Sequence, residues 1–104
     1  MRKGLVAAIA TLTLLISAGS ADAIGPGRIC GGFFGQWCDA GLFCQFMPGT
    51  CGRFDLTGTC ARMPRFCPQI TGPRLVVCGC NGQTYGNDCM RQQAGVSLAH
   101  RGKC

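Results

Sequence analysis

Ten cysteines are the residues here whose type and spacing could do chemistry. They stand at 30, 38, 44, 51, 60, 67, 78, 80, 89 and 104. Thiols in such number either ligate zinc or pair as disulfides. Cys78-x-Cys80 is a tight pair, but the chain has no Cys-x-x-Cys and a single histidine, His100. Five disulfides are therefore the expectation, with no metal and no cofactor. Acid–base or nucleophilic catalysis finds no material. His100 is alone, and the acids that follow residue 23 (Asp39, Asp55 and Asp88) are scattered. No nucleophile–base set is visible, so the reading is not an enzyme.

The compartment comes from the N-terminus. Arg2 and Lys3 precede an apolar run from Leu5 to Ile16. At about 12 residues that run is too short to span a bilayer. Ala21-Asp22-Ala23 is a small-x-small cleavage site. Residues 1–23 read as a signal peptide cleaved after Ala23, giving a secreted chain of about 81 residues. Localisation is extracellular, or periplasmic in a Gram-negative bacterium, with no membrane association after cleavage. In the remainder, cysteine is about 12% of residues, above the level that marks a disulfide scaffold. So short a chain cannot build a large core and needs staples.

The charge is +6 over 104 residues. Without Arg2, Lys3 and Asp22, eight basic and three acidic residues remain, a net +5. The basic residues form no run, so a soluble basic surface is expected and no nucleic-acid partner.

Two segments must position these cysteines. Residues 24–59 hold four, with Gly31-Gly32-Phe33-Phe34-Gly35 and Pro48-Gly49 as turn signals. Loops, turns and at most one short hairpin are expected. Phe33, Phe34, Trp37, Phe43, Phe46 and Phe54 are read as a miniature core beneath the disulfides. The competing reading is an exposed aromatic binding patch.

Residues 60–104 hold six cysteines. Val76-Val77-Cys78 and Gln83-Thr84-Tyr85 flank Asn81-Gly82, which predicts a hairpin closed by a type I′ turn. Asp88 can cap a short helix through about Ala94, with Gly95 as the stop. Val96 to His100 alternates as a last strand would. Four and six cysteines allow 3 and 15 pairings, and spacing alone goes no further.

The run Cys78-Gly79-Cys80-Asn81-Gly82-Gln83-Thr84-Tyr85-Gly86-Asn87-Asp88-Cys89 resembles the centre of the Kazal family of serine-protease inhibitor domains. The resemblance covers about 45 residues. With Ala94-Gly95-Val96-Ser97, it is similar to a Kazal-like type common in secreted bacterial proteins. The upstream segment, which often accompanies that type, is faintly similar to growth-factor-binding-type cysteine modules. The implied fold is a small disulfide-rich α+β module: a short antiparallel hairpin or sheet with one short helix, preceded by a loop-rich cysteine segment.

Family pairing implies Cys67–Cys89 and Cys78–Cys104. Standard members carry a cysteine where this chain has Gln92, and none at Cys80. A swapped staple, Cys60–Cys80, is the simplest account, leaving Cys30, Cys38, Cys44 and Cys51 to pair among themselves. The resemblance makes Pro68 to Val77 the loop presented to a protease. Pro68, Gln69, Ile70 and Thr71 lie at its centre, with Gln69 as the primary specificity residue. The loop has ten residues where about seven are usual, so a shifted register would make Arg74 primary. Tyr85 and Asn87 are the implied supports, Asn87 through hydrogen bonds to the loop. The implied function is inhibition of a serine protease, trypsin-like or subtilisin-like, by a monomer. A non-inhibitory extracellular binding module is the alternative.

Overall fold

The computed structural model describes residues 23–104; apart from Ala23, the expected signal segment lies outside the described residues. The elements are β1 (Ala23–Ile24), β2 (Ile29–Gly31), β3 (Trp37–Cys38), β4 (Leu42–Gln45), a 3-10 turn (Arg53–Asp55), β5 (Thr57–Arg62), β6 (Val77–Gly79), β7 (Thr84–Tyr85), α1 (Asp88–Gln93) and β8 (Leu98–Arg101). Two antiparallel three-stranded sheets result, ordered β2-β5-β4 and β7-β6-β8, with a two-residue parallel pair β1·β3. This is the small disulfide-rich Kazal-like α+β architecture.

The first sheet goes beyond the loops and single hairpin expected. Its strands are three to six residues long, too short to show a period. Cysteines hold them together. Flat neighbouring strands would put β2 and β4 about 9.5 Å apart across β5. The sheet instead curls until the Cα atoms of Cys30 and Cys44, on those outer strands, are 5.8 Å apart and disulfide-bonded. Gly58 makes room on the central strand. A Cβ there would lie 2.6 Å from the Gln45 carbonyl and 3.0 Å from Cys44 Sγ.

The aromatic core is corrected. Among the aromatic side chains described, only Phe43 is buried, at 7% exposure, with Cys30 and Cys60 also in the core. Phe46 is half-buried, and the Phe54 side chain lies outside the described residues. Phe33, Phe34 and Trp37 are 75–88% exposed. The interior is occupied by the disulfides Cys30–Cys44 and Cys38–Cys60. Phe33 and Phe34 sit at the tip of a hairpin closed by the Gly31↔Gln36 bridge. They pack edge to face on each other at 5.8 Å.

The second sheet follows the sequence more closely. β6 is buried along its length, with Val77 opposite Tyr85 and Cys78 opposite Thr84. The turn differs from the type expected. Gly82 N–H donates to the Gly79 carbonyl, and only Gly82, not Asn81, has φ > 0. That is a type I turn followed by a glycine bulge. Asn81 Oδ1 accepts from Gln83 N–H at 3.1 Å and fixes the corner. The helix cap also shifts by one: Asn87, not Asp88, is the N-cap, its side chain accepting from Met90 N–H.

Two of the family-implied disulfides are present, Cys67–Cys89 and Cys78–Cys104. The Cys60–Cys80 staple is not. Cys60 bonds Cys38, and Cys80 bonds Cys51. The reason lies in β5. Cys60 is on its central run, opposite Cys44, with its backbone N–H and carbonyl tied to Arg28 and Gly27. It belongs to the first sheet. The expected division between residues 59 and 60 thus falls inside a strand, and the chain leaves that sheet only after Arg62.

The two sheets are stitched together. Ser97, 7% exposed, donates from Oγ to the Cys44 carbonyl and accepts from Phe46 N–H, both at 3.1 Å. Gly49 N–H donates to the Leu98 carbonyl. Cys51–Cys80 closes the same seam.

Candidate functional site

The segment from Arg65 to Thr71 is held along one side. Cys67 is bonded to Cys89 in α1. Asn87 Nδ2 donates to the Pro68 carbonyl at 2.9 Å and the Ile70 carbonyl at 2.7 Å. Asn87 is 6% exposed. Met90 N–H can only donate and the two loop carbonyls can only accept, so one orientation of the amide serves all three. The residue that starts the helix therefore also fixes the loop. Farther along, Thr71 Oγ1 donates to the Gly86 carbonyl at 2.8 Å. Upstream, Gln93 Nε2 donates to the Arg65 carbonyl at 2.8 Å.

Between the carbonyls that Asn87 holds lies Gln69. Pro68, Gln69 and Ile70 are exposed. The Gln69 side chain reaches only its own loop, Nε2 lying 3.5 Å from the Cys67 carbonyl. The three extra loop residues do not stretch this region. They are taken up in a turn, where Leu75 N–H and Val76 N–H both donate to the Gly72 carbonyl. Pro73 suits the first corner of that turn. Arg74 is exposed at the second. Gly102 N–H donates to the Val76 carbonyl at 2.7 Å and returns the chain to the sheet.

Tyr85 supports the hairpin rather than the loop. Its hydroxyl accepts from Asn81 Nδ2 at 2.9 Å and donates to Gln83 Oε1. Its ring covers Gly79, where a Cβ would meet Tyr85, Asn81 and Val96 at 2.7–2.8 Å.

The helix carrying Asn87 has its own anchor. Arg91, 2% exposed, pairs through Nε with Asp88 Oδ1 at 2.7 Å and donates from a terminal nitrogen to the Val96 carbonyl. Gln92 Nε2 donates to the other Asp88 oxygen at 2.9 Å. The Arg91 hydrogen bond, helped by its charge and by Gln92, holds the Asp88 carboxyl below the usual carboxylate range against partial burial. At Gln92, where the resemblance implies a cysteine, this chain has a hydrogen bond.

Cysteine chemistry is used up in the scaffold. Sγ atoms of Cys30, Cys38 and Cys60 lie within 4.8 Å of one another, but each is in a disulfide and offers no thiolate. Among the described residues no cysteine is free, and no helix is long and apolar enough to cross a membrane.

No family model matches the chain. Two curated proteins are similar over part of it. "Serine protease inhibitor Kazal-type 6" of Bos taurus is 40% identical over 45 residues, which covers 38% of this chain and 52% of that protein. "Follistatin" of Xenopus laevis is 37% identical over 51 residues, 43% of this chain and 15% of that protein. The chain thus spans about half of one relative and a small part of the other. The fold is Kazal-like. Of the residues the sequence singled out, the structure brings Pro68, Gln69, Ile70 and Thr71 together with Asn87. It leaves Arg74 in the turn and Tyr85 in the hairpin. Gln93 and Gly86 also fasten the segment, and neither was singled out. A glutamine six residues after an N-cap and a backbone carbonyl carry no signal in a single sequence.

Proposed function

We propose that this protein is a secreted serine-protease inhibitor that presents the Gln69–Ile70 bond as a rigid substrate. The observation that carries the reading is the pair of hydrogen bonds from Asn87 to the carbonyls on either side of Gln69. A loop ordered during folding does not lose that freedom again on binding, which favours affinity. When the protease serine attacks the Gln69 carbonyl carbon, the Ile70 amine leaves and takes a proton. Asn87 still holds the Ile70 carbonyl and the Gly86 carbonyl still holds Thr71, while Cys67–Cys89 holds the other side. The amine therefore stays in place, attacks the acyl ester, re-forms the peptide bond and frees the serine hydroxyl. Release of products loses to religation.

Gln69 is neutral, so it suits a broad or polar primary pocket of the subtilisin-like kind better than a trypsin-like pocket built around a buried acid. The Bos taurus relative, by its name an inhibitor of serine proteases, supports this class of partner. The test is an inhibition panel of the oxidised protein against trypsin-, chymotrypsin-, elastase- and subtilisin-like enzymes. Stoichiometric inhibition strongest with the subtilisin-like enzyme is the expected result.

A second reading has its own observation. Phe33, Phe34 and Trp37 are exposed on a single hairpin, and exposed apolar patches mark interaction sites. An extracellular binding module using that hairpin is the alternative if no protease is inhibited.

A further inference from the structure

We propose that the hairpin closed by Gly31 and Gln36, together with Trp37, is a membrane-surface contact that places Phe33 and Phe34 in the interfacial layer of an anionic lipid bilayer. The contact is independent of the presented bond and gives the exposed hairpin its occupant. Between Arg28 and Asp39 the chain carries no charge from Ile29 to Cys38. Phe33, Phe34 and Trp37 all lie in that stretch, exposed. The rings of Phe33 and Phe34 pack on each other. The backbone around them is closed on itself. Gly35 N–H donates to the Gly32 carbonyl at 3.1 Å, and Gly31 N–H donates to the Gln36 carbonyl at 3.0 Å. Backbone groups paired within the hairpin cost less to take out of water.

Shape and charge favour lipid over a protein partner. Two adjacent rings stand out from the end of a tight turn. A lipid interface receives such a tip without a pocket shaped to match it. An indole such as that of Trp37, with an apolar body and one N–H donor, suits the boundary between headgroups and acyl chains. From Ile24 onward, eight basic and three acidic side chains leave a net +5. Scattered cations draw the protein toward an anionic surface at low salt, and the uncharged aromatic tip then anchors it. No membrane association is expected where a spanning run is missing, but a surface contact needs none.

Trp37 is the chain's single tryptophan, so its fluorescence reports on the hairpin. The test titrates the oxidised chain from Ile24 onward with vesicles of phosphatidylcholine, with and without phosphatidylglycerol, and follows emission and co-sedimentation. The anionic vesicles should shift Trp37 emission to the blue and carry the protein down, and added salt should weaken both. Phe33→Ser combined with Phe34→Ser should lower the partition constant about tenfold or more, by loss of buried apolar area, with the thermal midpoint and any protease inhibition unchanged. Sedimentation that survives in this variant would show attraction by charge alone and overturn the proposal. So would the absence of a blue shift with anionic vesicles, or equal binding to neutral ones. A blue shift without lipid that grows with protein concentration would instead assign the hairpin to a second copy of the chain.

Discussion

Asn87 spans helix and loop: its Oδ1 accepts from the first turn of α1 while its Nδ2 donates to the Pro68 carbonyl 2.9 Å away. Its two roles can be separated. Asn87→Asp keeps a good cap acceptor at the helix N-terminus. It removes both donors and sets a carboxylate oxygen against two carbonyls. Asn87→Ala removes everything, at a cost of roughly 0.5–2 kcal/mol for the cap alone. We predict that Asp weakens protease inhibition as much as Ala does while destabilising the helix less. Helical circular dichroism and inhibition constants for both variants check this. Equal loss of helix with unchanged inhibition would contradict it.

The disulfide map gives a second prediction. Non-reducing peptide mapping should join Cys51 to Cys80 and Cys38 to Cys60. A Cys60–Cys80 peptide would restore the swapped-staple account and undo the seam described above. The double change Cys51→Ser with Cys80→Ser should cost roughly 2–4 kcal/mol of stability. It should leave the other four bridges formed.

This is also where the sequence reading reached its limit. The second sheet, the helix and the bridges Cys67–Cys89 and Cys78–Cys104 were legible because Asn81-Gly82, Gly95 and the Kazal-like motif act locally. The exchange of partners by Cys60 and Cys80 was not. It depends on β5 pairing with β2 and β4, and no strand there is long enough to announce itself. The core reading of Phe33, Phe34 and Trp37 fails, and the competing reading of an exposed patch fits them better, for a related reason. Aromatic residues are read as core by default, but here disulfides already fill the interior. Asn87, as a side chain bonded to the loop, was legible from the motif. The fold-back at Gly72, which puts Arg74 in a turn of its own, is not shown by a count of loop residues.

Stability should depend on acid through Asp88. Its folded pKa lies below the ordinary 3.8, chiefly because Arg91 hydrogen-bonds the carboxylate. A depressed pKa contributes stability that is fully present above the unfolded value and lost as pH falls through the folded one. Unfolding midpoints should therefore drop as pH falls from about 4 downward. Asp88→Asn should flatten that slope. It should also lower stability at neutral pH, since the buried Arg91 would lose its counter-charge. An unchanged slope in the variant would assign the acid sensitivity elsewhere.

Gly79 is a fourth point of test. It has no room for a Cβ, with Asn81, Tyr85 and Val96 all within 2.8 Å of one. Gly79→Ala should displace the Tyr85 ring and cost roughly 1–3 kcal/mol by overpacking. Gly82→Ala, in open space but at φ 82°, should cost less in packing and act through backbone strain. Denaturant midpoints of the two variants check the order.

The central claim is that Gln69–Ile70 is a presented bond held closed by its own scaffold. The most direct measurement is long incubation of the oxidised protein with a catalytic amount of subtilisin-like protease, followed by mass analysis before and after reduction. We predict one slow cut, after Gln69, with the two pieces joined by disulfides until reduction. Intact and cut forms should reach the same ratio whichever form is added first. Rapid and complete cleavage of the loop, at Arg74 or at several bonds, with no return of the intact form, would contradict the account.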